Sequence, residues 1–401
     1  MRVALTYRVL PHWRVPVFRR LARWPGIHFR AFHGGDFPGT PTINGPDLSG
    51  FERRQMATIR LVRSSAGARA GLPLCPTLPW HLLRFWPDVI LAEGNSNLLN
   101  NFLVFAYATL TRTPIVFWTL GELRHEHQLS RVQRLFRWIT HGMEKRSAAL
   151  LGYSTKALEY FDRQGYPKER QFRAVNCVDT DAVLNRIEGA RPHVDALRTQ
   201  LGLDGKRVLL FVGSITGSKR LDELAAIHAR LRQRYPDLEL LLVGDGEYRD
   251  ELQRLVAERE YQGVHFAGKV IDGVSKYFLL GDIFVMPSLG GLAISEAMAH
   301  GLPVLVTEAD GCEVDLVEPG RNGYILPLGD QQAFEQTLAE LLDDPEKARA
   351  MGQHSRWIIE NRYNIHTYME NVVRALEFAC RRGEGPRRES PRGQAVMESA
   401  S

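Results

Sequence analysis

The chain has 401 residues, 44% hydrophobic and 24% charged, with a net charge of +5 and an isoelectric point near 9.0. That length is comfortable for two domains, each burying its own core, and the composition is that of an ordinary globular protein. The mild basic excess, part of it in Arg381, Arg382, Arg387, Arg388 and Arg392, suits an anionic ligand or an acidic surface but is too small to argue for nucleic acid.

The opening Arg2-Val3-Ala4-Leu5-Thr6-Tyr7 reads as a strand and not as a signal peptide. From there short apolar runs alternate with longer amphipathic ones, the pattern of parallel strands joined by crossover helices. In the first half strands are predicted at Val3–Tyr7, His28–His33, Asp88–Glu93, Pro114–Thr119, Ala149–Ser154 and Phe172–Asn176. Helices are predicted near Val15–Trp24, Leu98–Thr111, Ser130–Arg146 and Lys156–Gln164. Gly34–Gly50, rich in Gly, Pro, Thr and Asp, reads as a loop of functional length. The uncharged stretch Gly94–Thr111 holds four asparagines, which makes it a buried helix and a poor membrane span.

The polar segment Ile187–Asp204 separates the halves, giving a first domain over 1–190 and a linker over 191–204. A second domain over 205–360 has strands at Val208–Val212, Glu239–Val243, Val264–Phe266, Ile283–Met286, Val304–Val306 and Tyr324–Leu326. Its helices fit Leu221–Tyr235, Tyr248–Glu260, Leu292–His300 and Gln331–Leu342, with a long pair over Pro345–Arg382. The last helix, 361–382, is expected to return to the first domain, and 383–401 has too few hydrophobes to fold. The expected architecture is α/β: two doubly wound Rossmann-like domains facing a central cleft. Cys75, Cys177, Cys312 and Cys380 form no C-x-x-C pair, which argues against zinc or a disulfide framework and for a reducing, cytoplasmic setting.

The most informative segment runs from Phe284 to Val304. A strand ends at Pro287, a turn of small residues carries Ser288, Gly290 and Gly291, and a helix starting at Leu292 carries Glu296 in its second turn. Glycines let backbone N–H groups approach a ligand, and the helix N-terminus favours an anion such as a diphosphate. By itself the pattern also fits a plain strand–turn–helix. A second segment ends a strand in Gly213-Ser214 and delivers Lys219 and Arg220 to a helix N-terminus, where cations call for an anionic partner. A third, Val243-Gly244-Asp245-Gly246-Glu247, is a strand-end turn of the same kind.

In this order, from about Lys206 to Asp344, these segments resemble the C-terminal domain of family 4 glycosyltransferases, which have the GT-B fold. The resemblance includes Gly213, Lys219, Val243–Gly246, His265–Val270, Glu296–Val304 and Asn322-Gly323. It implies that Lys219 contacts the diphosphate of a nucleotide-sugar donor, UDP- or GDP-linked, and that Glu296 holds the ribose. It also implies that Val270 lies beside the nucleobase and that Gly291 and Leu292 present N–H groups. Ser214 stands where the family usually has an arginine, and Arg220 is a candidate to supply that charge. Eight positions before Glu296, where many members carry a glutamate, this chain has Ser288; the sugar is then to be read by Glu308, Asp310 or the backbone at Gly311.

The first half resembles the family's acceptor domain loosely. Acceptor-side candidates are Arg8, Arg14, Glu93 and Glu122, with Arg124; Leu120 stands where relatives place a histidine, and His125 or His127 are the nearby substitutes. Asn176 and Asp179 resemble the family's Asn-x-x-Asp segment. The helix over Arg131–Arg146 pairs a basic with an aromatic face, suiting either an anionic membrane surface or an ordinary solvated exterior. The implied activity is retaining hexosyl transfer to a saccharide or lipid-linked acceptor, in polysaccharide or glycolipid assembly, with no metal and no further cofactor. A nucleotide-sugar epimerase of the same fold and a non-catalytic donor-binding subunit are the alternatives.

Overall fold

The computed structural model describes residues 1–37, 43–65, 68–121, 131–288, 291–309 and 311–382. The chain divides into two compact units, Met1–Ala174 with Met369–Ser401, and Val175–Tyr368.

The first unit is built on β1 (Arg2–Tyr7), β2 (His28–His33), β3 (Glu52–Gln55), β6 (Val89–Glu93), β7 (Ile115–Thr119), β8 (Ala149–Gly152) and β9 (Gln171–Arg173). They form one parallel sheet in the order β3-β2-β1-β6-β7-β8-β9. A separate antiparallel hairpin joins β4 (Ile59–Ser65) to β5 (Ala68–Leu74). The helices are α1 (Val15–Arg23), α2 (Leu78–Phe85), α3 (Leu98–Thr111), α4 (Arg131–Arg146) and α5 (Thr155–Arg163). Every residue of β6 and β7 is buried, as expected for central parallel strands covered on both faces. On one face α2, α3 and α5 close a core of Phe32, Leu82, Phe85, Val104, Phe117 and Phe161; deleting one such ring costs about 3–5 kcal/mol. Ser154 caps α5 by accepting from the Ala157 N–H, a bond whose loss costs about 1 kcal/mol.

The second unit begins with α6 (Thr180–Ala190) and α7 (Val194–Gln200). Its sheet, in the order β12-β11-β10-β13-β14-β15, is parallel throughout. The strands are β10 (Arg207–Val212), β11 (Leu238–Val243), β12 (Val264–Gly268), β13 (Ile283–Met286), β14 (Val304–Thr307) and β15 (Gly323–Leu326). Between and after them lie α8 (Leu221–Arg234), α9 (Arg249–Glu258), α10 (Val274–Phe278), α11 (Leu292–Ala299), α12 (Glu313–Leu316), α13 (Gln331–Asp343) and α14 (Pro345–Asn361). The two sheets with their crossover helices are the two Rossmann-like domains that the sequence pattern predicts.

Two features differ from the sequence expectation. The stretch 191–204 is no linker: a 3-10 turn at Arg191–His193 runs into α7, and the chain passes between units at Ala174 and Val175. Its helical stripe, Val183, Ile187, Ala190 and Leu197, is buried but too sparse to stand out among polar residues. Strands β3 to β5 and helix α2 fall in a stretch for which no element was predicted; β3 is a fully exposed edge strand reading Glu-Arg-Arg-Gln, which has no apolar alternation. The last helix, α15 (Ile365–Arg382), crosses from the second unit to the first at Met369, where Phe378 packs on Phe172 at 5.3 Å. The segment 383–401 lies outside the described residues.

Candidate functional site

In the second unit the predicted donor residues gather at the C-terminal ends of the strands, the end where open parallel sheets bind ligands. The loops after β10 and β11 interlock through backbone: the Gly213 N–H donates to the Val243 carbonyl at 3.0 Å and the Ile215 N–H to Asp245 at 3.0 Å. A Cβ on Gly244, whose φ is +149°, would lie 1.8 Å from the Gly213 carbonyl oxygen. One on Gly246 would lie 2.2 Å from that of Ile215. Only glycine permits this approach, so main chain lines these loops. Ser214 is exposed, and Lys219 closes a short 3-10 turn half-buried.

Arg220 is held in the left-handed region, with φ +53°. Its guanidinium grips Glu223 through Nη2 to Oε1 at 2.5 Å and Nε to Oε2 at 3.0 Å. The charge that was to compensate for Ser214 therefore already has a carboxylate partner one turn away.

Glu296 sits on α11 with its side chain about one-fifth exposed, and Arg186 Nη2 donates to its Oε1 at 3.1 Å. Burial raises its pKa; the Arg186 charge and hydrogen bond act the other way. Arg186 comes from α6, 110 residues upstream, and no local pattern announces it. His300 caps the same helix, Nδ1 at 2.7 Å from the Glu296 carbonyl oxygen, its ring stacked on Phe278 at 4.7 Å. Burial pulls its pKa down to about 4, which keeps the imidazole neutral at pH 7.

Gly291 is the N-cap of α11 with φ +101°, followed by Leu292; Gly290 lies outside the described residues. Ser288 is buried, and its hydroxyl has no hydrogen-bond partner among the described residues; the same holds for Ser295 and Thr307. Val270 follows β12, half-buried. The loop carrying Glu308 and Gly311 is pinned by Glu313, whose carboxylate accepts from the Ala309 and Gly311 N–H groups at 2.7 and 2.8 Å. Asp310 lies outside the described residues. Sequence reasoning missed Glu313 as it missed Arg186.

The first unit gathers a second cluster at its own strand ends. Glu93, the last residue of β6 and 5% exposed, accepts from the Arg8 N–H at 2.7 Å and pairs with Arg8 Nε at 3.2 Å. Burial pushes its pKa up to about 7, against the opposing pull of Arg8 and, beyond it, Arg14. Arg14 is buried with its Cζ 4.7 Å over the Trp118 ring and 4.8 Å over that of Tyr153, a cation–π arrangement. Tyr7 completes the cluster edge-on to Trp118 at 6.0 Å, its pKa raised by burial and then by Tyr153 and Glu93. Of the predicted acceptor-side residues, Arg8, Arg14 and Glu93 are thus brought together. Glu122, Arg124, His125 and His127 lie outside the described residues. The aromatic members Tyr7 and Tyr153 were missed, although both stand at the ends of buried strands, where a polar ring is a usable signal.

Asp179 caps α6 through the Ala182 N–H, a structural role. No described helix is long and apolar enough to cross a membrane.

Residues 206–344 match the family model described as glycosyl transferases group 1. That match lies wholly within the second unit. It is 28% identical over 304 residues to a sulfoquinovosyl transferase of Arabidopsis thaliana, covering 71% of this chain and 56% of that one. It is 30% identical over 206 residues to a GDP-mannose-dependent alpha-mannosyltransferase of Mycobacterium tuberculosis, covering 51% and 49%. The matches span little over half the length of such curated relatives. In fold it is similar to Anabaena HepE, solved in complex with UDP, with a TM-score of 0.73 at 18% identity over 94% of this chain and 99% of that one. A sucrose-phosphate synthase of Thermosynechococcus elongatus gives 0.68 at 17% identity, covering 94% and 98%. The chain therefore has the GT-B fold.

Proposed function

We propose that this chain is a glycosyl transferase that moves a hexosyl group from a nucleotide-diphosphate sugar to a saccharide or lipid-linked acceptor with retention of anomeric configuration. The observation that carries the reading is Glu296, set on the helix after β13 beside backbone-lined glycine loops, inside the matched segment 206–344. In this reading Glu296 accepts hydrogen bonds from the ribose, with Arg186 keeping its carboxylate ionised. Val270 borders the base, and Gly291, Leu292 and Lys219 face the diphosphate. Their charge and dipoles are preorganised for the negative charge that grows on the leaving group, so no divalent metal is required. The C1–O bond to the diphosphate breaks, the acceptor oxygen bonds C1 on the same face, and a phosphate oxygen takes the acceptor proton.

The acceptor is assigned to the first unit, near Arg8, Arg14 and Glu93. The outer side of α4, where Leu135, Trp138, Lys145 and Arg146 are exposed, is proposed as a peripheral contact with anionic membrane. Supporting a lipid-linked acceptor, one relative at 29% identity is a phosphatidylinositol monomannoside mannosyltransferase of Mycolicibacterium smegmatis.

The test is a panel of UDP-, GDP- and ADP-sugars screened by thermal shift, then nucleotide release with acceptors, with and without EDTA. A retained anomeric configuration by NMR is expected; an inverted product overturns the mechanism. Interconversion of sugar nucleotides without acceptor would support an epimerase instead. Failure to sediment with acidic liposomes at low salt removes the membrane contact.

A further inference from the structure

The modest net charge conceals two units of opposite sign. Residues 1–174 hold 25 Lys and Arg against 11 Asp and Glu, whereas residues 175–368 hold 20 against 30. Part of the first unit's excess converges on a cavity of about 460 Å3 between β2, the edge strand β3 and helix α2. Arg30, Arg53, Arg54, Arg84, His81 and Trp80 line it, with Glu52 the sole carboxylate among the described lining residues.

Glu52 is already committed. It pairs with Arg30 at 2.6 Å and with His28 at 3.3 Å. Arg84 lies over the Trp80 ring at 3.9 Å, and neither it nor Arg53 nor Arg54 has an ion pair among the described residues. Burial, and after it the charges of Arg54 and Arg84, lower the pKa of His81. Cations on an edge strand alone would serve to block sheet pairing. Here the helix facing that strand contributes another guanidinium and an imidazole, which brings like charge from two elements to one cavity.

We infer that this cavity binds the phosphate group of an anionic ligand through Arg53, Arg54 and Arg84, with the half-exposed Trp80 ring against the ligand's carbon skeleton. Guanidinium forks match phosphate oxygens in geometry, and two or three charge-assisted hydrogen bonds suffice for a specific site. The inference does not depend on the transfer reaction. The groups involved lie at the β3 edge of the first unit's sheet, three strands along from β6, which ends in Glu93.

The test uses the full chain and two probes: inorganic phosphate, and vesicles of phosphatidylglycerol mixed with phosphatidylcholine, each at matched ionic strength. The Arg54→Gln/Arg84→Gln variant is compared with wild type, and Arg84→Gln alone replaces it if far-UV circular dichroism shows a folding defect. Phosphate is expected to raise the His81 pKa by NMR in the wild type and to bind the variant about tenfold or more weakly. That outcome supports the site and indicates a soluble phosphorylated ligand. Binding to the anionic vesicles that the variant loses, without a response to free phosphate, supports it with a lipid headgroup as the source. Equal responses of wild type and variant to both probes overturn it. UDP binding is expected to be the same in both proteins, which separates this result from any failure of the donor assignment.

Discussion

Glu93→Gln is the substitution that most directly tests the electrostatics of the first unit. Glu93 ends β6 in a buried position, and burial lifts its pKa from 4.5 to about 7 despite Arg8 at 3.2 Å. As pH rises from 4.5 towards 7, the unfolded chain releases this proton while the folded one keeps it, so the stabilisation present at low pH is lost through that window. A shift of that size corresponds to about 3 kcal/mol. Glutamine keeps the shape and removes the titration, so the variant should gain on wild type by about 3 kcal/mol between pH 4.5 and pH 8. With a urea dependence of about 2 kcal/mol per M, that is a relative midpoint shift of roughly 1.5 M. The assay is urea unfolding followed by tryptophan emission, which reports chiefly on this unit because six of the seven tryptophans precede residue 175. Parallel pH profiles for the two proteins would refute the claim that burial outweighs the Arg8 pair.

Gly244→Ala forces a Cβ to within 1.8 Å of the Gly213 carbonyl oxygen and should cost about 3 kcal/mol or more while weakening UDP binding. Gly352→Ala creates a similar clash, 2.0 Å from the Gly301 carbonyl oxygen but on α14, and should destabilise while leaving UDP affinity of the folded protein unchanged. Calorimetric titration of both separates a site effect from a folding one. Arg186→Ala removes the cation that opposes the raised pKa of Glu296. Because Arg186 is half-exposed, the stability cost should stay under about 1 kcal/mol, but loss of UDP affinity on acidification should begin at higher pH than in wild type. Lys219→Ala should lower the rate of nucleotide release about a hundredfold or more, with EDTA harmless to both proteins.

The sequence by itself determined both sheets in outline. Central strands such as β6, β7 and β11 are continuous apolar runs because both faces are covered, and such runs survive in any reading of hydrophobic pattern. It also determined the glycine positions of the loop after β11, since a backbone that admits no Cβ leaves its mark on residue identity at Gly244 and Gly246. The edge strand β3 was illegible because it is exposed throughout, and helices α6 and α7 because their buried stripe is sparse among polar residues. Only tertiary structure decided the pairings: Arg186 with Glu296, Arg220 with Glu223, and Arg14 against Trp118 and Tyr153. Charge and ring contacts depend on distance in space, and an ion pair 110 residues apart leaves no spacing for a sequence to show. For the same reason Arg220, in sequence a free cation at a helix N-terminus, is in the fold a partner of its own helix.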